Sequence, residues 1–366
     1  MKLTAKIKLQ PTPEQADALR RTLTQANAAC DYISQVAWQE RTFKQFAIHS
    51  KVYRVVKEQF GLSAQMTVRA IAKVADSYKL DKATCRTFKP TGGIAYDSRI
   101  LRYKPASVSI WTVDGRFEIP FTCGDRQRAQ LANQKGESDL LLIDGEFYLY
   151  ATCEVTEDAP YQASEYLGCD LGIKNILTDS TGETYAGNHL NSLRKRHAKL
   201  RARLQSKGTK SARRLLKKRR RKEKRMANHV NHVIAKRVVK KAKRHSMGIA
   251  LEELTGIRQR VTVRKGQRRQ HHAWAFHDLR QKIEYKARLA GVPVVCVDPR
   301  YTSKACQVCG CVDKKNRPNQ ETFLCVSCGF SAHADKNAAI NIGRRASVNT
   351  PYASTTPLTH LVGLAQ

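Results

Sequence analysis

Acidic residues are scarce in this chain of 366 residues: 31 Asp and Glu face 66 Lys and Arg, leaving a formal charge of +35. Such an excess repels itself unless a polyanion neutralises it, which makes nucleic acid the leading partner and a membrane surface the weaker one. No stretch approaches the roughly 20 apolar residues of a spanning helix. The opening MKLTAKIKLQ alternates in polarity instead of forming the apolar core of a secretory signal. A soluble, intracellular protein is therefore expected. A disulfide framework is not: the eleven cysteines are odd in number, and four of them sit in paired CxxCG motifs that suit metal binding in a reducing compartment.

What is present is unevenly placed. Between Arg194 and Arg244 there are 24 Lys or Arg and a single acid, Glu223, so this stretch holds about two thirds of the net charge. A solvated helical face normally interleaves charges of both signs, and this one does not. Clustered cations of one sign are what phosphate neutralisation rewards. The run has no ordered aromatic interleaving, which fits contact with a nucleic-acid backbone better than reading of splayed bases.

The length allows two or three domains. Leu3, Ala5, Ile7 and Leu9 alternate with polar residues as in a half-buried strand. Thr12, Pro13 and Gln15 then form a capping box with proline at the first helical position, opening a helix whose stripe runs Leu19, Leu23, Ala26, Cys30, Ile33 and Ala37. Further helical patterns span Val52–Phe60 and Ala64–Tyr78, with Trp38 and Tyr53 read as core. From about Phe88 to Thr156 the texture is β, with hairpins predicted at Asp114-Gly115 and Asp144-Gly145. The Leu3–Leu9 strand can complete the same sheet or barrel. A linker, Thr156–Ser164, ends this half.

The second half alternates strands and helices: Tyr166–Leu177 with Glu183–Ala186 as a hairpin, then two basic helices, the second capped by Ser211 beyond Gly208 and striped by Ala227, Val230, Ile234, Val238 and Ala242. A strand Met247–Leu251, a helix Trp274–Ala290 and a strand Val292–Val297 follow. The pattern is mixed α/β with a mostly buried sheet.

Four thiolates, Cys306, Cys309, Cys325 and Cys328, match a tetrahedral structural zinc. Cys311 stands close enough to compete with Cys309, and His333 to replace Cys328, but neither completes the symmetric pair. His271, His272, His277 and Asp278 look like a metal cluster at first sight, yet Trp274, Leu279 and Ile283 at helical spacing make them polar residues of an amphipathic helix. Three carboxylates stand in unusual places. Asp170 lies in an apolar strand, where ionisation is costly without a cation or several donors; a surface position or a bulge allowed by Gly168 and Gly172 is the bland alternative. Glu252 ends a short strand, with Glu253 as the alternative if the register is off by one. Asp335 stands where a helix-capping Asp is ordinary. A strand Asp, a later strand Glu and a helical Asp in that order are how ribonuclease H-like folds assemble a two-metal site for phosphoryl transfer, with Mg²⁺ on hard oxygen ligands.

Together, Cys169-Asp170-Leu171-Gly172-Ile173-Lys174-Asn175, Leu251-Glu252-Glu253-Leu254, Asp298-Pro299-Arg300-Tyr301-Thr302-Ser303-Lys304-Ala305-Cys306, the two knuckles and Asp335-Lys336-Asn337-Ala338-Ala339-Ile340-Asn341-Ile342 resemble the TnpB family of insertion sequences, relatives of the type V CRISPR nucleases. The opening Leu3–Val36 is also similar to the start of that family. Glu253 stands where the family more often has Asp.

The resemblance implies a multidomain α+β chain. A wedge-like β-barrel would occupy 1–10 and 88–160, with a helical recognition insert at 11–87. An RNase H-like RuvC α/β domain at 165–303 and 331–345 would be interrupted by a zinc ribbon at 304–330 and followed by a mobile tail, 346–366. It implies an RNA-guided DNA endonuclease that takes a transposon-derived guide RNA and cuts double-stranded DNA beside a short motif. Asp170, Glu252 and Asp335 would be its catalytic ligands for two Mg²⁺, and the four cysteines would hold structural Zn²⁺. The implied setting is the cytoplasm of a prokaryotic cell, in association with the nucleoid. The rival readings are a nuclease-inactive repressor, against which the three intact carboxylates count, and a transposase, against which the absence of a recognisable helix-turn-helix module counts.

Overall fold

The structure, a computed structural model, describes residues 1–219, 221–253 and 276–348. The expectations placed on Leu254, His271, His272, Trp274 and most of the tail lie outside the described residues. The chain divides into two compact units, Met1–Thr156 and Glu157–Gln366.

In the first unit, β1 (Lys2–Leu9) leads into α1 (Pro13–Gln39), α2 (Gln45–Gln59) and α3 (Ala64–Leu80). The capping box forms as its residue types require: the Thr12 hydroxyl accepts from the Gln15 amide at 3.3 Å, and the Gln15 side chain accepts from the Thr12 amide at 3.1 Å. The remaining elements are β2 (Ile94–Tyr96), β3 (Leu101–Tyr103), β4 (Ser107–Thr112), β5 (Gly115–Thr122), α4 (Asp125–Leu131), β6 (Gln134–Ile143) and β7 (Glu146–Glu154). The strands form one seven-stranded sheet in the order β2-β6-β7-β1-β5-β4-β3, with β1 at its centre. Tyr103 of β3 donates to Ser138 of β6 at 2.9 Å, and Tyr96 of β2 to the Trp111 carbonyl of β4 at 3.0 Å. The two ends of the sheet therefore approach each other, which makes it barrel-like. Ile7, Leu9, Leu19, Leu23, Ile33, Ile71, Ile110 and Leu140 share one core between sheet and helices, against which Trp38 and Tyr53 pack partly buried.

Two local expectations need correction. Asp144 and Gly145 turn the β6–β7 hairpin with φ of 53° and 90°, as a tight primed turn requires, but in the first hairpin Thr112 pairs with Gly115. Its loop is thus Val113-Asp114, one residue earlier than predicted. The helix α4 was not expected either, since seven polar-rich residues without a buried side chain carry no periodic signal.

The second unit is built on a five-stranded sheet, β10-β9-β8-β11-β12. Its first three strands, β8 (Tyr166–Asp170), β9 (Asn175–Asp179) and β10 (Thr184–Ala186), form an antiparallel meander, so the single long strand predicted over Tyr166–Leu177 breaks after Asp170. β11 (Gly248–Glu252) and β12 (Val294–Val297) lie parallel to β8. Among the described residues the basic stretch forms three helices where two were expected: α5 (Asn188–Lys207), α6 (Lys210–Arg219) and α7 (Lys222–Arg244). Gly208 ends α5 with a left-handed φ of 62°, but Thr209, not Ser211, caps α6 by accepting from the Ala212 amide at 3.2 Å. Glu223, the lone acid, reaches Arg194 and Arg201 and ties α5 to α7.

Among the described residues two further α-helices belong to this unit, α8 (Phe276–Leu289) and α9 (Ala334–Val348). Period-two alternation separates the faces of the sheet. Leu167, Cys169, Ile249 and Leu251 pack with Ile234, Val238, Leu279 and Ile283 of α7 and α8. Tyr166 and Ala250 face Ile342 and Ala346 of α9 instead. Between β12 and α9 lie the two cysteine knuckles and a two-stranded ribbon, β13 (Thr322–Leu324) with β14 (Ser331–His333). Among the described residues no helix is long and apolar enough to cross a membrane.

Candidate active site and thiolate cluster

The alternation that sorts the apolar residues also sorts the acids. Asp170 shares parity with Tyr166, and Glu252 with Ala250, so both carboxylates stand on the α9 face. The parallel pairing of Leu251 with Cys169 brings the two strand ends side by side. Asp335 reaches the same place from the first turn of α9, because that helix crosses β8 almost in backbone contact. A Cβ on Gly168 would stand 1.9 Å from the Ala339 carbonyl oxygen, and one on Gly343 would stand 2.7 Å from that of Tyr166. Gly168 therefore marks a close crossing and not the bulge considered from sequence.

The electrostatics follow from that convergence. Burial first, then the nearby Glu252 and Asp335, push the Asp170 carboxyl up to about 8. Burial also raises Glu252, against a hydrogen bond donated by the Thr302 hydroxyl at 2.5 Å. Asp335 accepts from Asn175 at 2.9 Å and from Arg317 at 3.2 Å. It makes no capping bond of the ordinary kind. Glu253, the register alternative, forms an ion pair with Arg280 at 2.6 Å. The three acids are half-buried, and burial first, then the charges of Glu252 and Asp335, hold Asp170 against ionisation. A hard divalent cation would take oxygen donors of this kind, although among the described residues only the four cysteines have ligand atoms all within 4.8 Å of one another.

The four cysteines also converge. Their sulfurs all lie within 4.8 Å of one another, with Cys306 and Cys328 3.7 Å apart and Cys309 and Cys325 3.5 Å apart. Tetrahedral thiolates on zinc are separated by about 3.8 Å, so the set fits such an ion. Each knuckle turns through a left-handed glycine, Gly310 at 74° and Gly329 at 70°, whose amide returns to the carbonyl of Cys306 or Cys325. The backbone amides of Cys328 and Ser327 pull the Cys325 thiol down to about 6, favouring the thiolate a metal needs. Cys311 lies beside this group but outside it. His333 is engaged otherwise, its Nδ1 accepting from the Asp335 amide at 3.3 Å.

Of the other sequence candidates, His277 is exposed, and Asp278 accepts from Asn231 and Lys282 as a structural acid. Three site residues had no role assigned from sequence. Asn175 and Thr302 lay inside recognised motifs, and Arg317 gave no signal beyond being a cation between the knuckles.

The chain matches two family models: one described as "Probable transposase" over residues 150–255, and one described as "Cas12f1-like, TNB domain" over residues 276–342. Among curated proteins it is 43% identical over 113 residues to the CRISPR-associated endodeoxyribonuclease Cas12f1 of Sulfoacidibacillus thermotolerans, covering 31% of this chain and 25% of that protein. It is 31% identical over 230 residues to Cas12f2 of a Micrarchaeota archaeon, covering 57% of this chain and 42% of that one. With a TnpB-like protein of Methanocaldococcus jannaschii it shares 36% identity over 125 residues, covering 34% and 44%. The chain thus spans from a quarter to under half of the length of these relatives. Among solved structures, a cryo-EM complex of Cas12f1 with sgRNA and target DNA matches with a TM-score of 0.62 at 16% identity, over 90% of this chain and 83% of that one. That likeness speaks for the fold.

Proposed function

We propose that this chain, a relative of the TnpB-like and Cas12f proteins through two family regions, is an RNA-guided DNA endonuclease whose RuvC-like site uses Asp170, Glu252 and Asp335. The observation that carries the reading is that Asp170 of β8 is held against ionisation by burial first and then by the charges of Glu252 from β11 and Asp335 from α9, which therefore stand near it. An antiparallel meander extended by two parallel strands supports the ribonuclease H-like reading of the sheet. The basic helices α5 to α7 fit the backbone of a guide RNA or its heteroduplex, with sequence read by pairing.

Magnesium, when bound to these oxygens, would supply an activated water and stabilise the leaving 3′ oxygen of a phosphodiester. The chain's own residues would do the rest. Asn175 and Arg317 hold Asp335 from two sides, and the Arg317 guanidinium would be at hand for a phosphate brought to the acids. The thiolate cluster would hold zinc as a structural clip, and Arg317 lies between its two knuckles. No protein nucleophile is required. The guide would be derived from the transposon, and the target would be double-stranded DNA beside a short motif.

The test is to purify the protein with its bound RNA, sequence that RNA, and offer DNA matching its guide segment in Mg²⁺. Double-strand cleavage abolished by Asp170→Ala is expected. Target binding without nicking by the unmodified protein would instead favour a repressor, and joining of a DNA end without RNA a transposase.

A further inference from the structure

The Asp298–Cys306 and Asp335–Ile342 motifs are explained only in part by the site and the thiolate cluster; the structure reads them against each other. Four side chains of α9 grip the backbone of the loop that links β12 to the first knuckle. Arg345 donates to the carbonyls of Asp298 at 2.8 Å and Arg300 at 2.6 Å. Asn341 donates to those of Thr302 at 2.9 Å and Ala305 at 2.7 Å. Asn337 donates to Ala305 at 2.8 Å and accepts from the Gln307 amide at 3.1 Å, while Arg344 reaches the Gln307 carbonyl. Asn337 and Asn341 are four residues apart, hence on one helix face, and both are buried. The turn they enclose is strained: Tyr301, a bulky residue, has φ of 62°, and its carbonyl accepts from the amides of both Lys304 and Ala305 at 2.9 Å.

The product of this grip is the placement of one hydroxyl. Thr302 is 2% exposed and donates to Glu252. Its alternative acceptor, the Pro299 carbonyl at 3.0 Å, belongs to the same loop. The helix that carries Asp335 is thereby linked, through this loop and the Thr302 hydroxyl, to Glu252 at the end of β11.

We infer that Thr302 is a positioning residue for the Glu252 carboxylate, and that the α9 asparagines are the clamp that fixes Thr302. The inference rests on the nuclease reading of the site. A hydroxyl donating to one carboxylate oxygen leaves the other oxygen presented in a single direction, as groups behind a metal ligand commonly do. Without the donor, Glu252 can rotate and the cation site loses one oriented ligand.

The test uses the full chain and Mn²⁺ as probe, with binding followed by electron paramagnetic resonance. Thr302→Val keeps the shape and removes the donor, and is expected to weaken Mn²⁺ binding about tenfold or more. Thr302→Ser, which keeps the donor, should restore it. Amide exchange across 302–307 should stay at parent levels in the valine variant, because the clamp bonds are untouched; a purely structural threonine would loosen it. Asn341→Ser should weaken Mn²⁺ binding together with faster exchange in that loop. Unchanged Mn²⁺ affinity in Thr302→Val, or a serine variant as impaired as the valine one, would overturn the positioning role. Asp170→Asn separates the two failures: if it binds Mn²⁺ as the parent does, the carboxylate site itself is misassigned and the clamp has nothing to position.

Discussion

Asp170 carries the clearest conflict between stability and use. Its folded-state carboxyl is raised to about 8 from an ordinary 3.8, so the folded protein binds a proton that the unfolded chain has already released. Stability of the metal-free protein should therefore fall as pH rises from about 4 to about 8 and change little beyond. Thermal melts in a chelator across this range will show the decline, and Asp170→Asn should flatten it and raise the neutral-pH melting temperature while cleavage is lost. A residue whose removal stabilises the fold and abolishes activity is expected at a working site. Tyr301 poses a second question at this scale. The residue is 58% exposed although its backbone is left-handed, so Tyr301→Gly should relieve about 1–2 kcal/mol of strain, exceed the cost of glycine's extra unfolded-state freedom of about 0.5–1 kcal/mol, and raise stability in denaturant melts. A fall in cleavage despite that gain would assign the ring itself a part in substrate contact. The bond from Thr302 to Glu252 was not legible from sequence, because a hydrogen bond between residues fifty apart leaves no local pattern.

Among the elements, the crossing of β8 and α9 decides whether a site exists at all. Gly168→Ala would drive a methyl into the Ala339 carbonyl, where backbone and not a movable side chain must yield. A loss of about 3 kcal/mol or more is expected, measurable by denaturant titration, together with loss of cleavage as Asp335 moves away from Asp170. The ribbon is coupled to the same place through Arg317. Cys325→Ser should release the bound metal, checked by elemental analysis, and lower cleavage at least about tenfold even though no cysteine is asked to do chemistry. Element type was largely legible: alternation announced β1, and the capping box announced the start of α1. Boundaries were not. The break after Asp170 follows from the Gly172 turn, where a Cβ would stand 2.7 Å from the Asn175 carbonyl oxygen, and a run of apolar residues conceals it.

For the molecule as a whole, charge sets the terms. If α5 to α7 bind a nucleic-acid backbone, the affinity for single-stranded RNA should fall linearly with salt on logarithmic axes, and each lost phosphate contact should reduce that slope by about 0.7. Gln replacements at Lys217, Lys218 and Arg219, measured by filter binding over a salt series, should flatten the slope by about 2 while leaving the melting temperature near that of the parent. The charge excess, the paired knuckles and the order of three acids were determined by the sequence alone, because composition and spacing are properties of the chain before it folds. Which face each acid takes, and that Arg317, Asn175 and Thr302 join them, was decided only by tertiary structure. Strand register, a glycine-permitted helix crossing and a clamped loop bring together side chains up to 165 residues apart, and no local rule encodes such a meeting.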